Sequence, residues 1–367
     1  MTDPNDDIKA GLLLRQPRLC AGVPAERKRS MPLPDAFATK RPLRFRPDGG
    51  YRILMMSDAH LKPGKEKPTL DAMGALIDGT HPDLVLLNGD NVAAFTDKKM
   101  FGDLLAQVVS PMEERRIPWA HVFGNHDQTA EVPKDYQEAE YEKYPWCVSK
   151  AGPRDLPGSG NYFLPVLDEK DEPVFGVWGL DSQQDFRTQT VPLRYPGDLY
   201  WDVLMPSTIV SGSDYDLIRF EQVMWYWNTS VELEKLCGRR IPSLMMFHIP
   251  LIEFRAILLN AHRTRLRGEY NERLSTSEIN SGLFAAVFQR GDVRAIFAGH
   301  DHINTFDGVY CGIRMGYDGS IGYEAYGTRD NDPGRDRERL RGGRIFDIRV
   351  SDPWTVDTEM VFVKDYV

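Results

Sequence analysis

The chain has 367 residues, 41% of them hydrophobic, which suffices for one large α/β domain or two small ones with a sizeable core. Its 54 acidic and 45 basic side chains leave a net charge of -9, which opposes the phosphate attraction that general nucleic-acid binders rely on and argues against a long nucleic-acid partner. No run of about 18 apolar residues appears, and the early acids Asp3, Asp6 and Asp7 do not make a basic leader, so the expectation is a soluble, unexported cytoplasmic protein without a membrane partner.

Cys20, Cys147, Cys237 and Cys311 are far apart and form no CxxC pair, which points to reduced thiols and to neither a zinc knuckle nor a disulfide framework. Residues 1–45 mix Pro, Arg and small residues without apolar periodicity, and Met31-Pro32-Leu33-Pro34 interrupts any helix, so a loosely ordered arm is expected ahead of a domain over 46–367. Met31 is also a candidate start of translation.

From Tyr51 the pattern changes. Tyr51–Ser57 reads as a buried strand feeding a loop, 68–80 as a helix, Asp83–Asn88 as a second strand, 97–116 as a helix, and Ile117–Phe123 as a third strand. Strand, polar loop and helix repeated in this way describe a parallel α/β sheet whose strand ends share one rim. After Asp127 the rhythm breaks, then strands are expected at Asn161–Pro165 and Val174–Leu180. A helix over Asp216–Leu236 follows, with Leu217, Phe220, Met224 and Trp227 spaced as a core stripe. Strands at Ser243–Phe247 and Val293–Ala298 precede late strands at Gly343–Val350 and Trp354–Val363, which finish a second sheet. With no repeat and no strong linker, one two-sheet domain of the α/β class is expected.

The chemistry-bearing residues fall just past these strands: Asp58 and His60, Asp90, Asn125 and His126, His248, and His300 and His302. Five of the eight histidines lie there, which selects a shared site over scattered structural roles. Carboxylate, imidazole and amide oxygen suit borderline to hard divalent ions, Mn, Fe or Zn, rather than a sulfur-bound structural zinc. Asp-x-His lets both side chains grip one ion from a single loop turn, and Asp90 has two oxygens with which to bridge two. With two such ions roughly 3.5–4 Å apart, a bridging water becomes a hydroxide near neutral pH and attacks phosphorus in line. Gly-Asn-His-Asp taken alone would read as a turn; the five elements in order do not.

The order Asp58-Ala59-His60, Gly89-Asp90, Gly124-Asn125-His126-Asp127, His248 and Gly299-His300-Asp301-His302 resembles the calcineurin-like metallophosphoesterase superfamily, over about residues 50–305. The resemblance implies a two-sheet β-sandwich flanked by helices. It also implies that Asp58, His60 and His302 hold one metal, that Asn125, His248 and His300 hold the other, and that Asp90 bridges. His126 would touch the phosphate and protonate the leaving group, with Asp127 orienting it through a carboxylate–imidazole hydrogen bond. The stretch Leu274–Gly308 looks like the Dcr2-like branch of purple-acid-phosphatase relatives. Ala93 stands where the purple enzymes carry a tyrosine, so two divalent ions are expected rather than a coloured ferric centre.

His81 and His121 read as structural and His262 as solvated surface. Arg329, Arg335, Arg337, Arg339 and Arg341 alternate with acids and read as an exposed loop. The expected reaction is hydrolysis of a phosphomonoester on a small molecule or a phosphoprotein. A phosphodiesterase on small cyclic or lipid diesters is the alternative, and a non-catalytic metal-binding scaffold is the alternative of another class. The loops near 62–67, 182–214 and 262–275, which shape any pocket, carry no readable code.

Overall fold

A computed structural model describes residues 37–184, 215–327 and 338–367, all within the compact unit Leu33–Val367. Two sheets face each other. One has the order β12-β11-β2-β3-β4, with β2 Gly50–Met56, β3 Leu84–Asn88, β4 Trp119–Val122, β11 Gly342–Arg349 and β12 Asp352–Phe362. The other has the order β1-β5-β6-β7-β8-β10-β9, from β1 Leu43–Arg44, β5 Tyr162–Leu167, β6 Pro173–Gly179, β7 Ser243–Met246, β8 Val293–Ala298, β9 Asp307–Tyr310 and β10 Ile313–Tyr317.

The alternation of strand side chains explains the layering. Ile53, Met55, Leu84 and Leu86 point inward and meet Leu244, Met246, Ala295 and Phe297 of the opposite sheet. Their neighbours Leu54, Met56, Val85 and Leu87 point outward, against α1 Lys67–Thr80 and α2 Lys98–Arg115. Met245, Phe247 and Ile296 do the same on the far side, against α4 Phe220–Cys237 and α7 Leu283–Arg290. Strands apolar on both faces are thereby buried between helix and sheet, which gives the expected helix–sheet–sheet–helix sandwich. The late strands join the first sheet, β11 pairing antiparallel with both β2 and β12. Between them, α3 Lys134–Tyr141, α5 Phe254–Leu259 and α6 Ala261–Thr264 complete the described α-helices. Among the described residues no helix is long and apolar enough to cross a membrane.

Three expectations are corrected. The arm ends earlier than residue 45, because Phe37, Leu43 and Phe45 are buried and Leu43–Arg44 pairs parallel with β5; residues 1–36, Met31 included, lie outside the described residues. The helix expected from Asp216 starts at Phe220, and its inner face is not the expected stripe. Phe220 and Met224 are 68% and 42% exposed, while Gln222, Val223, Tyr226, Ser230 and Leu233 face the core. The apolar residues surround this helix, so periodicity alone could not choose a face. Buried polar anchors decide it: Gln222 Nε2 donates to Asn161 Oδ1 and to the Asp181 carbonyl, each at 2.8 Å. Finally, Arg341 is buried, with its guanidinium 3.4 Å above the Tyr323 ring, and Arg339 forks onto Glu269 at 2.6 and 2.7 Å, so neither lies in a free loop. Arg329, Arg335 and Arg337 lie outside the described residues.

Candidate metal centre

Parallel pairing of β2 with β3, of β3 with β4, and of β7 with β8 brings five strand ends to one rim. The turns leaving those strands are tight. Asp58, His60, Asp90 and His300 adopt φ of 54°, 42°, 51° and 74°, a left-handed backbone that costs non-glycine residues roughly 1–3 kcal/mol each and persists where the surroundings enforce it. Four such residues clustered at one rim mark a site rather than a set of loops. The preceding glycines make room: a Cβ on Gly124 would stand 2.1 Å from Asp90 Oδ1, and one on Gly89 would stand 2.5 Å from His248 Nδ1.

Two groups of donor atoms emerge, Asp58 with His60 and His302, and Asp90 with His248 and His300, the atoms of each group lying within 4.8 Å of one another. Asp90 stands between them, its Oδ2 3.4 Å from His60 Nε2 and 3.2 Å from His248 Nε2. Asp58 Oδ1 is 3.1 Å from His302 Nε2 and 3.6 Å from His60 Nε2. Asp58 Oδ1, His60 Nε2, Asn125 Oδ1, His248 Nε2 and His300 Nε2 are all buried without a hydrogen-bond partner. Buried polar atoms are almost always paired, so the four orphans within the two donor groups fit cations that would complete them, and Asn125 Oδ1 offers a further unpartnered oxygen. The far ring nitrogens are held: His248 Nδ1–H donates to the Asn88 carbonyl at 2.8 Å and His302 Nδ1–H to the Tyr326 carbonyl at 3.0 Å, which turns both Nε2 lone pairs inward.

Charge supports the same reading. Burial alone would raise the Asp58 and Asp90 carboxyls, but the facing His302, His248 and His60 rings outweigh it and hold both below the usual carboxylate range. Burial would likewise lower His248, which the Asp90 and Asp58 carboxylates instead push up to about 10. A cation would take the place of that proton between ring and carboxylates. At His300 burial wins, reinforced by His248, and the ring falls to about 3, a neutral imidazole with a lone pair to offer.

His126 is exposed, its ring centroid 5.3 Å from that of His60, and its backbone N–H donates to Asp90 Oδ1 at 2.9 Å. It stands at the mouth, beside the two groups and in neither. The role expected for Asp127 is corrected. Its carboxylate is fully buried and accepts the backbone N–H groups of Asp90 (2.8 Å), Asn91 (2.9 Å), Val92 (3.3 Å) and Gly124 (2.7 Å), so it braces the Asp90 loop instead of orienting the His126 ring. Asp127→Ala should therefore destabilise the fold by about 3 kcal/mol, since it orphans several buried donors. A urea midpoint implying less than about 1 kcal/mol would contradict the brace.

Of the other histidines, His81 ends α1 at the surface and His262 is exposed. His121 is buried, stacked on Tyr141 at 3.6 Å, with Nδ1 2.7 Å from Ser149 Oγ. Sequence reasoning missed the segment Asp318–Gly327, which closes over the Asp58 loop. Ile321 N–H donates to the Ser57 carbonyl at 3.0 Å, Ser320 Oγ to the Asp58 carbonyl at 3.1 Å, and Tyr326 stacks on His302 at 3.9 Å. The Gly-rich run Asp318-Gly319-Ser320-Ile321-Gly322 was its one visible signal.

The family model described as calcineurin-like phosphoesterase matches residues 51–304. A curated relative from Arabidopsis thaliana, named probable inactive purple acid phosphatase 29, is 30% identical over 328 residues, covering 81% of this chain and 78% of its own. The Dcr2 phosphatase of Saccharomyces cerevisiae is 27% identical over 283 residues, covering 71% of this chain and 45% of its own. Among solved structures, a dimetal phosphatase from Danio rerio is 11% identical, with a TM-score of 0.48, over 82% of this chain and 92% of its own.

Proposed function

Because the chain belongs to the calcineurin-like phosphoesterase family and is a hydrolase of phosphoric esters, we propose that it is a phosphomonoesterase working with two divalent ions, Mn, Fe or Zn, on a phosphorylated small molecule or a phosphoprotein in the cytoplasm. The observation that carries this is the pair of buried donor groups that four strand ends bring together, in which Asp58 Oδ1 and the Nε2 atoms of His60, His248 and His300 have no hydrogen-bond partner. In this reading Asp58, His60 and His302 hold one ion, Asn125, His248 and His300 hold the other, and Asp90 serves both. Bound there, two such ions supply Lewis-acid polarisation of the phosphoryl group and a water that deprotonates near neutral pH.

The chain's own residues do the rest. The Asn88 and Tyr326 carbonyls keep His248 and His302 in the ligating tautomer, and Asp127 holds the Asp90 loop against Gly124. His126, exposed at the mouth, donates a proton to the departing alkoxide. The relatives named phosphatase favour the monoester. The word inactive in the plant relative's name is said of that protein; here every position of the donor set is filled.

Chelator-stripped protein reloaded with manganese should turn over a nitrophenyl phosphate monoester faster than the corresponding diester. Faster diester hydrolysis would replace the monoesterase reading with a diesterase. Two ions bound without turnover of either would make the chain a non-catalytic metal binder.

A further inference from the structure

The family match ends at residue 304, yet the buried support of the metal centre continues beyond it. Asp318 is fully buried, its Oδ1 3.0 Å from Ser57 Oγ and its Oδ2 accepting from Asn88 Nδ2 at 3.2 Å. Each of these neighbours holds a residue of a different donor group. Ser57 Oγ lies 2.6 Å from Asp58 Oδ2, and the Asn88 carbonyl takes the Nδ1–H of His248 at 2.8 Å. Asp58 belongs with His60 and His302, His248 with Asp90 and His300.

We propose that Asp318 is a positioning residue that locks the two ion-holding groups to each other, hydrogen-bonding as a neutral acid through Ser57 to Asp58 and through Asn88 to His248. Proton counting supports the neutral form. Ser57 Oγ has one hydrogen and three oxygens within reach: Asp58 Oδ2, Asp318 Oδ1 and, at 2.8 Å, the Gly319 carbonyl. A carbonyl brings no proton, and Asp58 Oδ2 already stands as an acceptor, taking the His300 backbone N–H at 3.0 Å. A proton on Asp318 Oδ1 turns one of the two surplus acceptors into a donor toward Ser57 Oγ, while Asp318 Oδ2 stays free to accept from Asn88. The contact is two bonds removed from any ion, so its effect is on placement and not on chemistry.

The inference rests on the two-ion reading, and the wild-type chain tests that reading separately. The full chain, stripped with chelator, is titrated with manganese by calorimetry, and the magnetic coupling between the bound ions is followed by electron paramagnetic resonance. Asp318→Asn keeps a donor toward Ser57 and an acceptor toward Asn88; it should bind two ions as the wild type does, with unchanged coupling. Asp318→Ala should weaken both ions by about tenfold or more, the usual cost of losing a partner behind a ligand. Ser57→Ala, a smaller change that tests the same link if Asp318→Ala does not fold, should weaken binding in the same direction.

A loss in Asp318→Asn as deep as in Asp318→Ala would overturn the neutral-acid role. Weakening of one ion only, or unchanged binding in Asp318→Ala or Ser57→Ala, would overturn the lock. A wild-type chain that takes up fewer than two ions would sink the metal-centre reading itself.

Discussion

Asp90→Asn should abolish stable uptake of two ions and lower kcat/KM for a nitrophenyl monoester by about 10³-fold or more. Asp90 Oδ2 stands between the groups, 3.4 Å from His60 Nε2 and 3.2 Å from His248 Nε2, whereas Asp58 Oδ1 lies 3.8 Å from His248 Nε2. Asparagine keeps the shape but removes the charge and one of two ligand oxygens. Two-ion activation is worth several kcal/mol of transition-state stabilisation, and each 1.36 kcal/mol is about tenfold in rate. Metal analysis after desalting, followed by steady-state kinetics, measures both effects. A variant that keeps two ions and near wild-type turnover would remove Asp90 from the centre.

His126→Ala should leave both ions in place and lower turnover by about 10²–10⁴-fold on alkyl phosphates, the range of a positioned general acid. Nitrophenyl phosphate, whose leaving group departs without a proton, should lose much less. The geometry asks for this split. The ring is exposed beside His60, outside both donor groups, while its backbone N–H is tied to Asp90. Loss of metal in the variant would instead make His126 a ligand. An equal loss on both substrates would assign it to phosphate binding and not to proton transfer.

Asp127 complicates any reading of these variants by position alone. It is adjacent to His126, yet its carboxylate serves four backbone donors of the Asp90 and Gly124 turns. Its removal should therefore disturb Asp90 as well as stability. Comparing metal content of Asp127→Ala with that of His126→Ala separates the two roles.

The amino-acid sequence by itself determined the strands, their parallel grouping and the donor residues at their ends. Runs such as Leu84–Asn88 and Val293–Ala298 are apolar on both faces, and only a strand buried between helix and sheet uses such a run. The donors were legible for a related reason: polar side chains directly after a buried strand can only face the rim. Tertiary structure decided what depends on a partner distant in the chain. The buried face of the helix Phe220–Cys237 follows from Gln222 reaching Asn161, the edge strand Leu43–Arg44 from pairing with Val166 and Leu167, and the true contacts of Asp127 from the fold of the Asp90 turn. Asp318 belongs with these. The local Gly-rich run cannot name its partners, because Ser57 and Asn88 are more than two hundred residues away and meet it only once both sheets have closed.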